Sequence, residues 1–118
     1  MNENANQVGQ EFDVKKAVCR DWEIQPIHKH IIQSGLIAGS WGFKNPVITV
    51  KDQAYRFRVS GRVFSGFVTI VLNGMDLFDI YFTSIQTNIV KKIANDVYIE
   101  DLIERLDDEI ERIPQYKR

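Results

Sequence analysis

His28-Lys29-His30 is the first place where residue types alone allow chemistry, because imidazoles bind metals and move protons near neutral pH. Two residues apart on a helix, side chains point about 200° from one another, so the pair cannot share an ion. On a strand they would share a face. Pro26 suits a first helical turn, and the Ile27/Ile31 spacing continues it, which selects the helix. Cys19 is the only cysteine, excluding an intramolecular disulfide and a multi-cysteine metal site. No orienting motif surrounds it or either histidine, as a thiol nucleophile requires. The glycines at 35, 39 and 42 match neither dinucleotide-binding nor P-loop spacing and read as packing against Trp41. The residues thus imply no catalytic group, no metal and no cofactor, and a protein that is not an enzyme.

Binding chemistry is better represented. Lys51, Arg56, Arg58 and Arg62 lie near Tyr55, Phe57 and Phe64, and Lys91 and Lys92 follow later. Basic and aromatic residues on a sheet are the materials of single-stranded nucleic-acid binding. Along 54–59, however, alternation puts Tyr55, Phe57 and Val59 on one face and Arg56 and Arg58 on the other. The aromatics are then expected in the core and the arginines outside, with Asp79 as a cross-strand partner. A second candidate surface is acidic: Glu100, Glu104, Asp107, Asp108 and Glu111 line one side of the last periodic segment. Such a stripe either keeps the protein soluble or faces a basic partner. The net charge of −1 conceals this separation. Residues 29–92 hold eight basic and three acidic side chains, and residues 93–118 hold eight acidic and four basic.

These residues need elements to carry them. Residues 1–10 are polar and aperiodic and read as a flexible tail. Residues 11–118 are long enough for a single domain with its own core. Residues 11–22 admit a helix with Phe12, Val14, Val18 and Trp22 inward. A helix from Pro26 to near Ser34 sets Ile27, Ile31 and Ile32 on one face. Strand-like runs follow at 47–50, 54–59, 66–72 and 77–82, and 87–94 fits either a fifth strand or a helical turn. Asn73-Gly74, opening the Asn73-Gly74-Met75-Asp76 connection between two apolar runs, signals an antiparallel hairpin that buries Ile70 and Ile80, with Gly74 as the residue to meet any demand for positive φ. Ile99, Leu102, Ile103, Leu106, Ile110 and Ile113 recur at helical spacing, with Asp96 as cap and Pro114 as stop. The expected class is α+β: an antiparallel meander of about three to five strands, an N-terminal helical region and a C-terminal amphipathic helix.

Residues 66–82, with Leu72-Asn73 at the hairpin and Asp76-Leu77-Phe78-Asp79-Ile80 after it, carry a family pattern. So do Val97-Tyr98-Ile99-Glu100-Asp101-Leu102 and Gly42-Phe43-Lys44-Asn45. With these, residues 31–113 resemble a group of small uncharacterised bacteriophage and mobile-element proteins. Phe78 stands where that group has tyrosine, and 83–88 lacks its glycine-rich basic turn. The resemblance implies a small accessory protein of a bacterial host's cytoplasm, acting by binding a host or phage macromolecule. A protein partner is expected first and nucleic acid second. No apolar run approaches membrane-spanning length, and residues 1–10 lack the basic-then-apolar order of a signal peptide.

Overall fold

Period-two alternation of apolar residues builds the centre of the molecule. The computed structural model describes residues 7–34, 39–49 and 53–111. Strands β1 (Lys44–Thr49), β2 (Ala54–Ser60), β3 (Ser65–Leu72), β4 (Phe78–Thr83) and β5 (Val90–Val97) form one antiparallel sheet in sequence order. Of residues 87–94, 90–94 are strand, the first part of β5, while Thr87 lies in the preceding turn, and the expected α+β class is what the structure shows. Tyr55, Phe57, Val59, Val68, Ile70, Ile80 and Phe82 all point to one face of the sheet and are at most 2% exposed. Ala54, Val71, Tyr81 and Val90 point to the other.

Two helices cover the first face. Helix α2 (Gln25–Gln33) begins with proline in its first turn and buries Ile27 and Ile31. Ile32, expected on the same face, is half-exposed, because it follows Ile31 by only one residue and so by about 100°. A 3₁₀ turn (Ile99–Asp101) leads into helix α3 (Leu102–Ile110), whose Leu102, Leu106 and Ile110 are fully buried. Asp96 does not cap this helix. It takes a positive φ of 56° in the irregular end of β5. The C-terminal end of α3 rests on the β2–β3 loop, where Val63 and Phe64 N–H donate to the Ile110 carbonyl at 2.8 and 3.1 Å. A helix leaves its last carbonyls without partners, and the loop supplies them. Gly61 allows that approach, since a Cβ there would lie 2.4 Å from the Ile110 oxygen. Ile113 and Pro114 lie outside the described residues.

An N-terminal arm covers the second face. The expected tail docks from Gln7 onward: Gln7 is buried, and Val8 and Glu11 bridge to Val90 and Ile89 beside β5. The arm then sets Phe12 against Tyr81, with ring centroids 4.9 Å apart. Of the helix considered over 11–22 only α1 (Val14–Ala17) forms, capped by Asp13. The chain passes the β3–β4 turn, where Arg20 pairs with Asp76, and returns to the helical face with Trp22 against Phe78.

That turn closes the expected antiparallel hairpin with a loop one residue longer than the strand-like runs imply. Leu72 pairs with Phe78, leaving a five-residue loop, 73–77, and the positive φ falls on Asp76 rather than Gly74. Asn73 organises it. Its Oδ1 accepts from Met75 N at 2.8 Å and Leu77 N at 3.2 Å, while Nδ2 donates to Asp79 at 3.0 Å and Asp96 at 2.7 Å. Ile70 and Ile80 are paired and buried, as alternation requires. Asn73→Ala therefore destabilises by about 2 kcal/mol or more, because the buried Asp79 carboxylate loses a donor. Gly74→Ala changes stability by less than about 1 kcal/mol, since its Cβ meets only Cys19 Sγ at 3.9 Å. Urea midpoints of the two variants check this contrast.

Candidate functional site

The structure distributes the basic residues unevenly. Arg56 and Arg58 lie on the arm-side face, beyond the part that the arm covers. Lys91 is exposed on β5, and Arg62 is exposed in the β2–β3 loop with its backbone N–H bonded to Glu111. Lys92 turns to the opposite face, 2.9 Å from Glu109 and over the rings of Phe64 and Phe82. Lys51 lies outside the described residues. The six basic residues therefore do not make one surface.

Arg56 and Arg58 do acquire partners that single-strand alternation could not reveal. Cross-strand register places Phe67 of β3 opposite Arg58 and Thr69 opposite Arg56, so all four share a face. The Arg56 guanidinium lies 4.1 Å above the centroid of Phe67 and donates to Asn88 Oδ1 at 3.3 Å. Partial burial holds the Arg56 pKa below its ordinary value, which still leaves it a cation. Lys44 lies opposite Arg58 at the β1 edge, and Val47 lies opposite Arg56, half-exposed. Among the described residues no carboxylate is within salt-bridge distance of Arg56 or Arg58. Asp79, expected to pair with one of them, sits two strands away and accepts from Asn73 and from the Asp96 backbone. Phe67 and Lys44 were missed because their place beside the arginines depends on register, not on nearness in sequence.

The acidic stripe breaks up. Asp107 is buried and accepts from the Trp41 indole at 3.0 Å, and Glu111 is buried and accepts from Arg62 N at 2.9 Å. Both hold the fold together. Glu100 and Glu104 remain exposed, and Asp108 is half-buried. Glu104 and Asp108 border a hollow of about 230 Å³ with Asp96, Tyr98, Asp101 and Arg105. His28 and His30 diverge along α2: His28 Nδ1 is 2.6 Å from the Tyr55 hydroxyl, and His30 faces solvent. Among the described residues no group of three or more His, Cys, Asp or Glu is placed to hold a metal ion, and no helix is long and apolar enough to cross a membrane.

The arm-side face of the sheet also buries polar groups beside its apolar cluster. Thr69 Oγ1, Tyr81 OH and Thr83 Oγ1 are buried without a hydrogen-bond partner among the described residues. Burial, and secondarily Asp79, raise the Tyr81 pKa, so the phenol stays neutral. An unpartnered buried hydroxyl costs free energy, so Tyr81→Phe leaves the protein as stable as wild type or more stable by up to about 1 kcal/mol, read from thermal or urea melts. Glu109 behaves differently. Burial pushes its carboxyl up, but hydrogen bonds and charge from Lys92, then Arg105, outweigh this and hold it below its ordinary 4.5. Its contribution is present above the unfolded value and lost as pH falls through the lower folded value. Glu109→Gln accordingly flattens the acid limb of a stability-versus-pH curve below about pH 4.5, the ordinary value.

Compared with family models, with curated proteins and with solved structures, the chain finds no match.

Proposed function

We propose that this protein acts by binding, not catalysis, and holds a single-stranded nucleic acid across the uncovered part of its sheet. The observation that carries the reading is Phe67 sharing a face with Arg56 and Arg58, while none of the described carboxylates lies within salt-bridge distance of either arginine. A base stacks on an aromatic face whatever its identity, and guanidinium groups meet phosphates with charge and paired donors. Lys44 extends the cationic line to the sheet edge. The cation–π contact sets the Arg56 guanidinium over the ring, so cation and aromatic side chain offer one contiguous surface to a base and its phosphate.

A second reading keeps the protein partner implied by the resemblance to phage accessory proteins. The β1 edge exposes Val47 and Ile48 at 51% and 42%, and a hollow of about 520 Å³ beside Ile48 is lined by Trp22, Ile24 and Pro26. Apolar edge strands pair with strands from partners.

Fluorescence anisotropy with a labelled oligothymidylate tests the first reading. Wild type binds in a salt-dependent way. Phe67→Ala weakens binding by roughly 5- to 150-fold, equivalent to about 1–3 kcal/mol of lost stacking. Arg58→Gln weakens it and lowers the slope of log K against log salt by about 0.7, one phosphate contact fewer. Equal, weak binding by all three proteins would sink the proposal. Val47→Lys separates the two readings: it adds a cation beside Arg56 and strengthens oligonucleotide binding, but disrupts capture of a partner strand at the edge.

A further inference from the structure

The uncovered face ends at a hollow of about 400 Å³ lined by Arg58, Ser65, Ser84, Ile85, Gln86 and Thr87. This lining contains one permanent cation, three hydroxyls and no carboxylate. The β4–β5 loop that forms its wall is internally braced. Ser84 N donates to the Ile89 carbonyl at 3.0 Å, Asn88 N to the Ser84 carbonyl at 3.1 Å, and Ile89 N to Ser84 Oγ at 3.2 Å.

The hydroxyls of Ser84 and Thr87 are bonded to each other. Each hydroxyl has a single proton, and the bond between them uses one. Whichever is the donor, the other keeps a proton that the pair does not use. Ser65 Oγ reaches the Gly61 carbonyl only at 3.4 Å, a long bond that a better acceptor displaces. Arg58 has no carboxylate within salt-bridge distance among the described residues. A permanent cation beside hydroxyl donors, on a braced loop and with no carboxylate among the described lining residues, complements a tetrahedral oxyanion rich in acceptors.

We infer that this hollow seats one phosphate group, held by the Arg58 guanidinium, by Ser65 Oγ and by the free proton of the Ser84–Thr87 pair. Only the carrier of that phosphate rests on the nucleic-acid reading, where it belongs to a nucleotide neighbouring the base on Phe67. A free nucleotide or another phosphate ester would present the same chemistry.

Two-dimensional amide NMR of the full chain, titrated with inorganic phosphate against sodium chloride at matched ionic strength, tests this. Saturable shifts confined to residue 58, residue 65 and residues 84–89 are expected. Arg58→Gln abolishes the saturation, and Thr87→Val weakens it several-fold, with the remaining spectrum marking each variant as folded. Should Arg58→Gln not fold, Ser65→Ala combined with Thr87→Val must weaken saturation by more than either change alone. Absence of saturable shifts in wild type, or saturation unchanged in these variants, overturns the inference. Oligothymidylate binding without phosphate saturation defeats the hollow and leaves the platform reading standing. Phosphate saturation without oligonucleotide binding supports the hollow as a site for a small phosphate ester and defeats that reading.

Discussion

Strand β4 is buried at every residue from Phe78 to Thr83, and this is the constraint on which the rest of the structure depends. In a two-layer protein an antiparallel sheet shows one face to solvent, and its strands alternate apolar and polar residues. Here β4 alternates Phe78, Ile80 and Phe82 with Asp79, Tyr81 and Thr83, yet both sets are out of water. Helices α2 and α3 cover the first set. The second needs another cover, and among the described residues the arm leading into α2 supplies it. The arm reaches its place through Val8 and Glu11 at the end of β5, then Phe12 on Tyr81, then α1 on Ala54 and Val71.

The arm is one chain wide while the strands are six to eight residues long, so it covers a band of the second face and not the whole of it. It crosses the second face obliquely and leaves one corner open. Arg56, Arg58 and Phe67 occupy that corner, and there the alternation returns to polar and half-exposed side chains. The boundary between covered and open sheet runs through Thr69 and Thr83, whose buried hydroxyls lack partners among the described residues. Hydroxyls and a carboxylate make a poor seat for an apolar cover, because each polar group removed from water without a partner opposes docking. Phe12 and Ala17 supply the apolar contact that offsets this, and the Gln7 side-chain amide, which donates to the Asp13 carbonyl and accepts from the Asp13 N–H, fixes the arm's bend.

What was legible in the sequence followed from periodicity. The α2 spacing, the β2 alternation and the Leu102/Leu106/Ile110 stripe each report one element's buried face, and that is local information. The Asn73 loop was only partly legible. Its five-residue length follows from the Leu72–Phe78 register and from an asparagine side chain that bonds β4 and β5 at once, whereas the strand-like runs alone describe the shorter Asn73-Gly74-Met75-Asp76 connection. The acidic stripe misled for a related reason: Asp107 and Glu111 occupy solvent-type positions on an isolated helix, but Trp41 and the β2–β3 loop fold over them. Phe67 is the instructive miss at the site. On its own strand it reads as one more apolar residue between Gly66 and Val68, and only pairing with β2 puts it beside two arginines. Functional faces of sheets are assembled across strands, so a single strand's pattern reveals which residues point outward but not their neighbours.

The acidic balance of the whole chain is no obstacle to an anionic ligand at this corner. The molecule measures 37 × 28 × 26 Å, and the acids of α3 lie on the helical side of the sheet, with the core between them and Arg56 and Arg58. At physiological ionic strength, charges are screened over about 8 Å, so Glu100 and Glu104 contribute little field at the open corner. Two of the remaining carboxylates, Asp107 and Glu111, already accept from Trp41 and Arg62 inside the fold, and Glu109 is matched by Lys92 and Arg105. Net charge therefore bears on solubility and long-range approach, while affinity at a surface site depends on charges within a few ångströms. Within that range the corner has Lys44, Arg56 and Arg58, and none of the described residues places a carboxylate in salt-bridge contact with either arginine. Partial burial acts in the same direction, because Arg56 has already lost part of its water on folding and would have less solvation left to lose to an anion.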